Sequence, residues 1–196
     1  MDLLFVVTRL EKPSVRFRIA PMVPYFEQRG HTCTIRELPR NLLKRVRFYR
    51  QFSKYHAVVI QQRLLSQWEL FLARKYAHRL IYDFDDAVMY HPQKKHQDRR
   101  RQRRFSAMAR CVDLAICGNH YLASHVSDHT SRFVVIPTAV DTIRYHPDKV
   151  LTKNPLKNGA RVNVGWTGSS STNRYLNMVL PVLAKLSDTM EFTMIS

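Results

Sequence analysis

Short apolar runs alternate along this chain with longer stretches of helical period. Leu3 to Thr8, His31 to Leu38, Ala57 to Gln61, Arg79 to Asp83, Asp113 to Cys117, Phe133 to Ile136 and Arg161 to Trp166 are aliphatic and β-branched, and are predicted strands. Between them, Arg18 to Arg29 reads as a helix ending at Gly30, a residue suited to a helix C-cap. Leu64 to His78 places Leu65, Trp68, Leu72 and Tyr76 on one helical face, and Tyr121 to Thr130 follows the fifth strand. Near-continuous apolar strands joined by helices predict a parallel sheet covered on both faces, an α/β, Rossmann-like, doubly wound domain that closes near Ile136.

From Pro137 to Gly159 the pattern breaks into prolines, asparagines and scattered charge, the composition of a linker. It then restarts. Arg161 to Trp166 is a strand, Gly168 to Thr172 a small polar turn, Asn173 to Leu186 a helix and Glu191 to Ile195 another strand. The chain is therefore expected to divide into a Rossmann-like domain over residues 1–140, a linker over 141–159, and the first βαβ unit of a second Rossmann-like domain over 160–196. A complete domain of this type needs on the order of 100 further residues, so an amino-terminal fragment of a two-domain protein is expected.

Charge changes the picture more than composition does. With 196 residues and 45% hydrophobic content the chain can bury a core, but 32 Lys and Arg against 15 Asp and Glu leave a net charge of +17. Such an excess implies an anionic partner: phosphate groups, nucleic acid or an acidic membrane surface. Much of it sits in Arg99, Arg100, Arg101, Arg103 and Arg104, preceded by Lys94 and Lys95. Phe105, Met108 and Val112 follow at helical spacing, so the run is expected to open a helix that docks on the sheet. Cations at a helix start oppose the macrodipole, which favours attraction to anionic lipid or to a diphosphate-linked acceptor; a solvated charge run is the equal alternative. Nucleic acid is disfavoured, since neither aromatic interleaving nor a recognition helix is evident. Cys33, Cys111 and Cys117 are scattered and form no CxxC pair, which predicts free thiols in a reducing compartment, the cytoplasm. Leu3 to Val7 is too short for a signal-peptide core, and no apolar run approaches a membrane span.

The candidate chemistry concentrates where the fourth strand runs into Asp83-Phe84-Asp85-Asp86. Ligands in open α/β sheets sit at the carboxyl ends of strands. Three acids within four residues resist burial unless a cation or polar ligand compensates them, whereas a cap or turn needs only one. Strand alternation puts Asp83 and Asp85 on one face with Asp85 further out, which favours Asp85 as the reacting carboxylate. Gly168, Ser169, Ser170, Ser171 and Thr172 lie between a strand and a helix, where amides and hydroxyls bind phosphate or simply cap the helix. Asn119 and His120 follow the fifth strand and are expected to face the same cleft.

Six blocks in order carry a family resemblance: Ser14 to Arg18, Ile60 to Leu65, Ile81 to Ala87, Gly118 to Ala123, Ile136 to Asp141 and Val164 to Ser169. Together they resemble bacterial family-4-like glycosyltransferases of the GT-B type. The resemblance implies two Rossmann-like domains facing across a cleft, with the acceptor on the amino-terminal domain and a nucleotide-sugar donor mainly on the carboxy-terminal one. It implies that Asp85 and Asp86, standing where the family has a His-Asp pair, are catalytic. Arg16, Arg18 and Gly168 to Thr172 would meet the donor phosphates, and Asp83, Asn119 and His120 the acceptor. The acceptor would be a glycan, a lipid-linked sugar or a small molecule of envelope polysaccharide assembly. No metal or other cofactor is expected, because such enzymes generally use none for chemistry. The implied location is the cytoplasm, at the inner face of the membrane. The chain departs from the family in lacking a glycine between Thr8 and Ser14, in carrying Thr138-Ala139-Val140-Asp141 for the usual Asn-Gly-Val-Asp, and in offering Trp166 and hydroxyls where an Arg and a Lys are usual. The alternative is a non-enzymatic, basic Rossmann-like module that binds nucleic acid or a phosphorylated ligand.

Overall fold

A computed structural model of the chain describes residues 1–91, 98–143, 146, 161–168 and 172–195. It comprises two compact units, Met1–Thr142 and Ile143–Ser196. The first holds six strands, β1 (Asp2–Val7), β2 (Thr32–Glu37), β3 (Ala57–Gln61), β4 (Leu80–Phe84), β5 (Leu114–Cys117) and β6 (Phe133–Val135). All pair in parallel, in the order β2-β1-β3-β4-β5-β6. This is the Rossmann-like α/β sheet that the alternating pattern predicts. The strand order reverses between β1 and β3, and a cleft opens at such a reversal beyond the carboxyl ends of the strands.

The period-2 alternation of the strands sorts their side chains between two cores. Leu4, Val6, Val58, Ile60, Leu80, Tyr82, Phe84, Ala115 and Cys117 share one face with residues of α2 (Leu42–Arg50), α3 (Gln67–Tyr76), α4 (Arg99–Cys111) and α5 (His120–Ser127). Right-handed crossovers that keep stepping in one direction put these helices on the same side. Tyr82 and Phe84 stack at 4.8 Å, and Phe105 of α4 meets Phe84 edge-on at 5.5 Å. On the opposite face, Leu3, Phe5, Val7 and Val59 pack against Val15, Ile19 and Phe26 of the connection between β1 and β2.

That connection is not the single helix expected over Arg18 to Arg29. It is a π-helical turn (Val15–Ile19), a 3-10 turn (Ala20–Met22) and the short α1 (Val23–Gln28). Pro21 and Pro24 cannot donate to the helical ladder, so a regular helix cannot run through them. The expected apolar stripe holds at Leu65, which is buried, and at Leu72 and Tyr76, which pack partly buried against the core; it departs at Trp68. Glu69, Leu70 and Ala73 are buried while Trp68 is 41% exposed. Glu69 is drawn inward because its carboxylate accepts from Arg45 Nη1 at 2.9 Å and from Ser66 N at 2.8 Å. α4 begins where the charge run predicts, with Phe105, Met108 and Val112 buried. Asp98 caps it, accepting from the backbone N–H of Arg100 and Arg101 at 3.1 and 3.2 Å, and so supplies the anion that the arginine run lacks.

In the second unit, β7 (Val162–Thr167) and β8 (Met190–Ile195) pair in parallel. The expected helix from Asn173 to Leu186 is a 3-10 segment (Asn173–Met178) followed by α6 (Leu180–Lys185). Pro181 fits only the first turn of a helix, so the helix restarts there.

Two carboxylates, buried Glu69 and half-buried Asp113, are expected to tie stability to pH. Burial alone would raise the pKa of Glu69, but the bonds from Ser66 and the Arg45 charge hold it below the ordinary value. Asp113 is likewise held low: desolvation opposes, and the bonds from Arg74 Nη1 at 2.5 Å and Leu80 N at 2.7 Å prevail. A depressed folded-state pKa contributes stability above the unfolded carboxylate value of about 4 and loses it as pH falls through the lower folded value. The denaturant midpoint of Glu69→Gln is therefore expected below that of the wild type at pH 7, with the gap closing below about pH 4. A gap independent of pH would remove ionised Glu69 from the account.

Candidate functional site

Because Tyr82 and Phe84 point into the helix-covered core, Asp83 between them must point to the other face. There it meets Arg18, which the π-helical turn after β1 brings beneath the sheet end. Arg18 Nε donates to both carboxylate oxygens at 3.0 Å, and Nη2 donates to Oδ1 at 2.8 Å. Both side chains are 5% exposed. Burial pushes the Asp83 pKa up, with the Asp85 charge adding to it and Arg18 opposing. The third guanidinium nitrogen, Nη1, donates to the Ile136 carbonyl at 2.9 Å and to Thr138 Oγ1 at 3.2 Å. Arg18 thus ties the ends of β4 and β6 together across the sheet.

Above this buried pair lie the two remaining acids. Gln62, the first residue after β3, donates from Nε2 to Asp85 Oδ1 at 2.5 Å and to Asp86 Oδ2 at 3.1 Å. Its backbone has φ 53°, a conformation that side chains other than glycine adopt at a cost, and its N–H donates to the Asp83 carbonyl at 2.8 Å. Thr138 Oγ1 donates to Asp85 Oδ2 at 3.3 Å, linking Asp85 to the Arg18 network. Gly118 closes the arrangement from β5. A Cβ at that position would lie 2.8 Å from both Cα and Cβ of Asp85, so only glycine lets the two chains approach this closely. Neighbouring Gln61 is buried, and its Nε2 donates to the Ser14 carbonyl at 3.0 Å.

Asp83, Asp85, Asp86, Arg18 and Asn119 are thus all carried at the carboxyl edge of one sheet. Their environments differ. Asp83 is internal and committed to Arg18, Asp85 is half-buried, and Asp86 is exposed. Arg18, expected at a donor phosphate, has its guanidinium engaged inside the protein; Arg16 is exposed, with its guanidinium 4.6 Å from the centre of the Phe17 ring. Asn119 caps α5, its Oδ1 accepting from Leu122 N at 2.9 Å, and His120 is exposed on the first turn. Gly168 and Thr172 belong to the second unit, where Gly168 N donates to Ile195 O at 3.2 Å. A Cβ at Gly168 would meet Thr172 Oγ1 at 2.7 Å. Ser169, Ser170 and Ser171 lie outside the described residues, as do Lys94 and Lys95.

Gln62, Thr138 and Gly118 were not among the expected site residues. The available signal was position: each stands at or just beyond the carboxyl end of a strand. A groove of 740 Å³ runs along the sheet face below the site, floored by Phe5, Val59, Ile81 and Ile116 and reaching Asp83 and Thr138. Among the described residues no group of three or more His, Cys, Asp or Glu side chains could hold a metal ion. All three cysteines are free thiols, and burial pushes Cys117 up to about 11. No described helix is long and apolar enough to cross a membrane.

No family model and no curated protein matches the sequence. Solved structures do. HepE of Anabaena in complex with UDP and glucose matches the whole of this chain over 70% of its own length, with TM-score 0.60 and 13% identity. The same protein with UDP alone gives TM-score 0.61, and MnaA of S. aureus with UDP gives 0.54 at 14% identity, with this chain spanning 62% of MnaA. At such identities the shared property is the fold, so the chain has the Rossmann-like α/β architecture of these UDP-bound proteins.

Proposed function

We propose that the chain belongs to a nucleotide-sugar-dependent glycosyltransferase of GT-B architecture, family-4-like, acting in envelope polysaccharide assembly on the cytoplasmic side of the membrane. The observation that carries this reading is the pair Asp85 and Asp86, held by Gln62 and Thr138 over the buried Arg18–Asp83 pair at the carboxyl edge of the sheet. A fold that holds UDP and glucose in HepE supports it. In the transfer, the acceptor hydroxyl attacks the anomeric carbon, the bond to the diphosphate breaks, and the nucleoside diphosphate leaves with the electron pair. The hydroxyl proton passes to a carboxylate, a role we assign to Asp85, with Asp86 beside the sugar. Negative charge grows on the leaving diphosphate, and exposed Arg16 would meet it. Arg18 and Asp83 act as positioning residues. Asn119 and His120 border the acceptor, a glycan, lipid-linked sugar or small molecule.

The test is a panel of radiolabelled nucleotide sugars given to the full-length protein with an envelope lipid and oligosaccharide extract. Release of nucleoside diphosphate with label appearing in an acceptor is expected. Binding of a nucleoside diphosphate without turnover would point instead to the non-enzymatic binding module, and no binding of any member of the panel would sink the reading.

A further inference from the structure

The helices α2, α3 and α4 lie side by side on one face of the sheet. Their inward residues, Phe48 and Tyr49, Leu70 and Ala73, Phe105 and Met108, share one core, so their opposite faces turn outward together. That outward surface is unusual in two independent ways. It exposes large apolar side chains: Leu42 at 62%, Leu43 at 78%, Trp68 at 41% and Phe71 at 65%. It is also predominantly cationic, the Asp98 cap of α4 aside. Neither Leu42–Arg50 nor Arg99–Cys111 contains an Asp or Glu, and Glu69, the acidic residue of α3, is turned inward to Arg45. Lys44, Arg47, Arg99, Arg103 and Arg110 are exposed. Between α3 and α4, Gln67, Gln102, Ser106 and the arginines 99, 103 and 110 line a polar groove of 520 Å³, ample for a phosphate headgroup.

We propose that this α2–α3–α4 surface docks on an anionic lipid bilayer, with Leu42, Leu43, Trp68 and Phe71 entering the interface and the α4 arginines holding lipid phosphates. Scattered exposed apolar residues mean little, but a cluster rimmed by cations matches the two attractions that hold peripheral proteins on membranes, apolar burial and charge. A nucleic-acid surface would use the cations and aromatic faces; Leu42 and Leu43 have no face on which a base can stack. Trp68 is partly anchored, its ring edge-on to Tyr49 at 6.3 Å, and an indole suits the headgroup level. The first turns of these helices lie at the carboxyl edge of the sheet, the edge that bears Asp85, because each helix follows its strand. The inference does not depend on the transfer chemistry proposed above.

The experiment is co-sedimentation of the full-length protein with phosphatidylcholine vesicles, with and without phosphatidylglycerol, beside Trp68 fluorescence in a Trp166→Phe background. Binding to the anionic vesicles alone is expected, with a shift of Trp68 emission to shorter wavelength and quenching by brominated acyl chains. Arg99→Gln with Arg103→Gln should weaken binding about tenfold or more. Leu43→Ser with Phe71→Ser should weaken it comparably, and at high salt as well, with circular dichroism unchanged. Failure to sediment overturns the proposal. So does sedimentation with Trp68 unquenched and the apolar variants unaffected, which marks a purely ionic surface, and so does tighter binding to single-stranded DNA than to the vesicles.

Discussion

Arg18→Met is expected to cost about 3–5 kcal/mol of folding stability, because it leaves the Asp83 carboxylate buried without its cation. Three hydrogen bonds to that carboxylate disappear, along with those to the Ile136 carbonyl and Thr138. Arg18→Lys should rescue little, since a single ammonium cannot make the two-pronged contact and reach Ile136 and Thr138 at once. A second variant separates the pair's net worth from the cost of breaking it. Replacing Arg18 by Met and Asp83 by Leu together removes both charges, and buried ion pairs replaced by apolar groups are often neutral. The double variant should therefore recover most of the loss in a urea titration. A single-variant cost below about 1 kcal/mol, the range of exposed pairs, would show that the carboxylate is not confined as described.

Asp85→Asn is expected to lower turnover by a factor of about 10²–10⁴ while leaving nucleotide-sugar affinity and the unfolding midpoint nearly unchanged. The amide keeps the size of the carboxylate but cannot take a proton. Its place is set by Gln62, Thr138 and the Gly118 backbone, so the fold should tolerate the change. Asp86→Asn, at an exposed position, should have the smaller effect on turnover. Undiminished turnover in Asp85→Asn would remove that residue from the chemistry, whereas a wild type without turnover would count against glycosyl transfer itself.

Most of the architecture was legible in the pattern of the chain. Strands from Leu3, Ala57, Arg79 and Asp113 announce themselves because a strand buried on both faces must be apolar throughout. Phe105, Met108 and Val112 likewise disclosed which side of the arginine run docks. Where the pattern misled, a residue outside its period decided: Pro21, Pro24 and Pro181 broke expected helices, and on α3 Glu69, bonded to Arg45, is buried while its neighbour Trp68 is partly exposed.

The site divides the same way. The expectation of a site at the end of β4 rests on sequence alone, since three acids within four residues at the close of an apolar strand call for a compensating partner. Which partner each acid takes could not be read there. Asp83, Asp85 and Asp86 are chemically identical, and only strand alternation combined with the position of Arg18, 65 residues away in sequence, commits Asp83 to a buried pair. Gln62, Gly118 and Thr138 reach Asp85 because β3, β4, β5 and β6 are neighbours in the sheet. Local period records which residues a segment will bury. The partners those residues meet depend on strand order, which is set by the packing of the whole sheet and its crossovers.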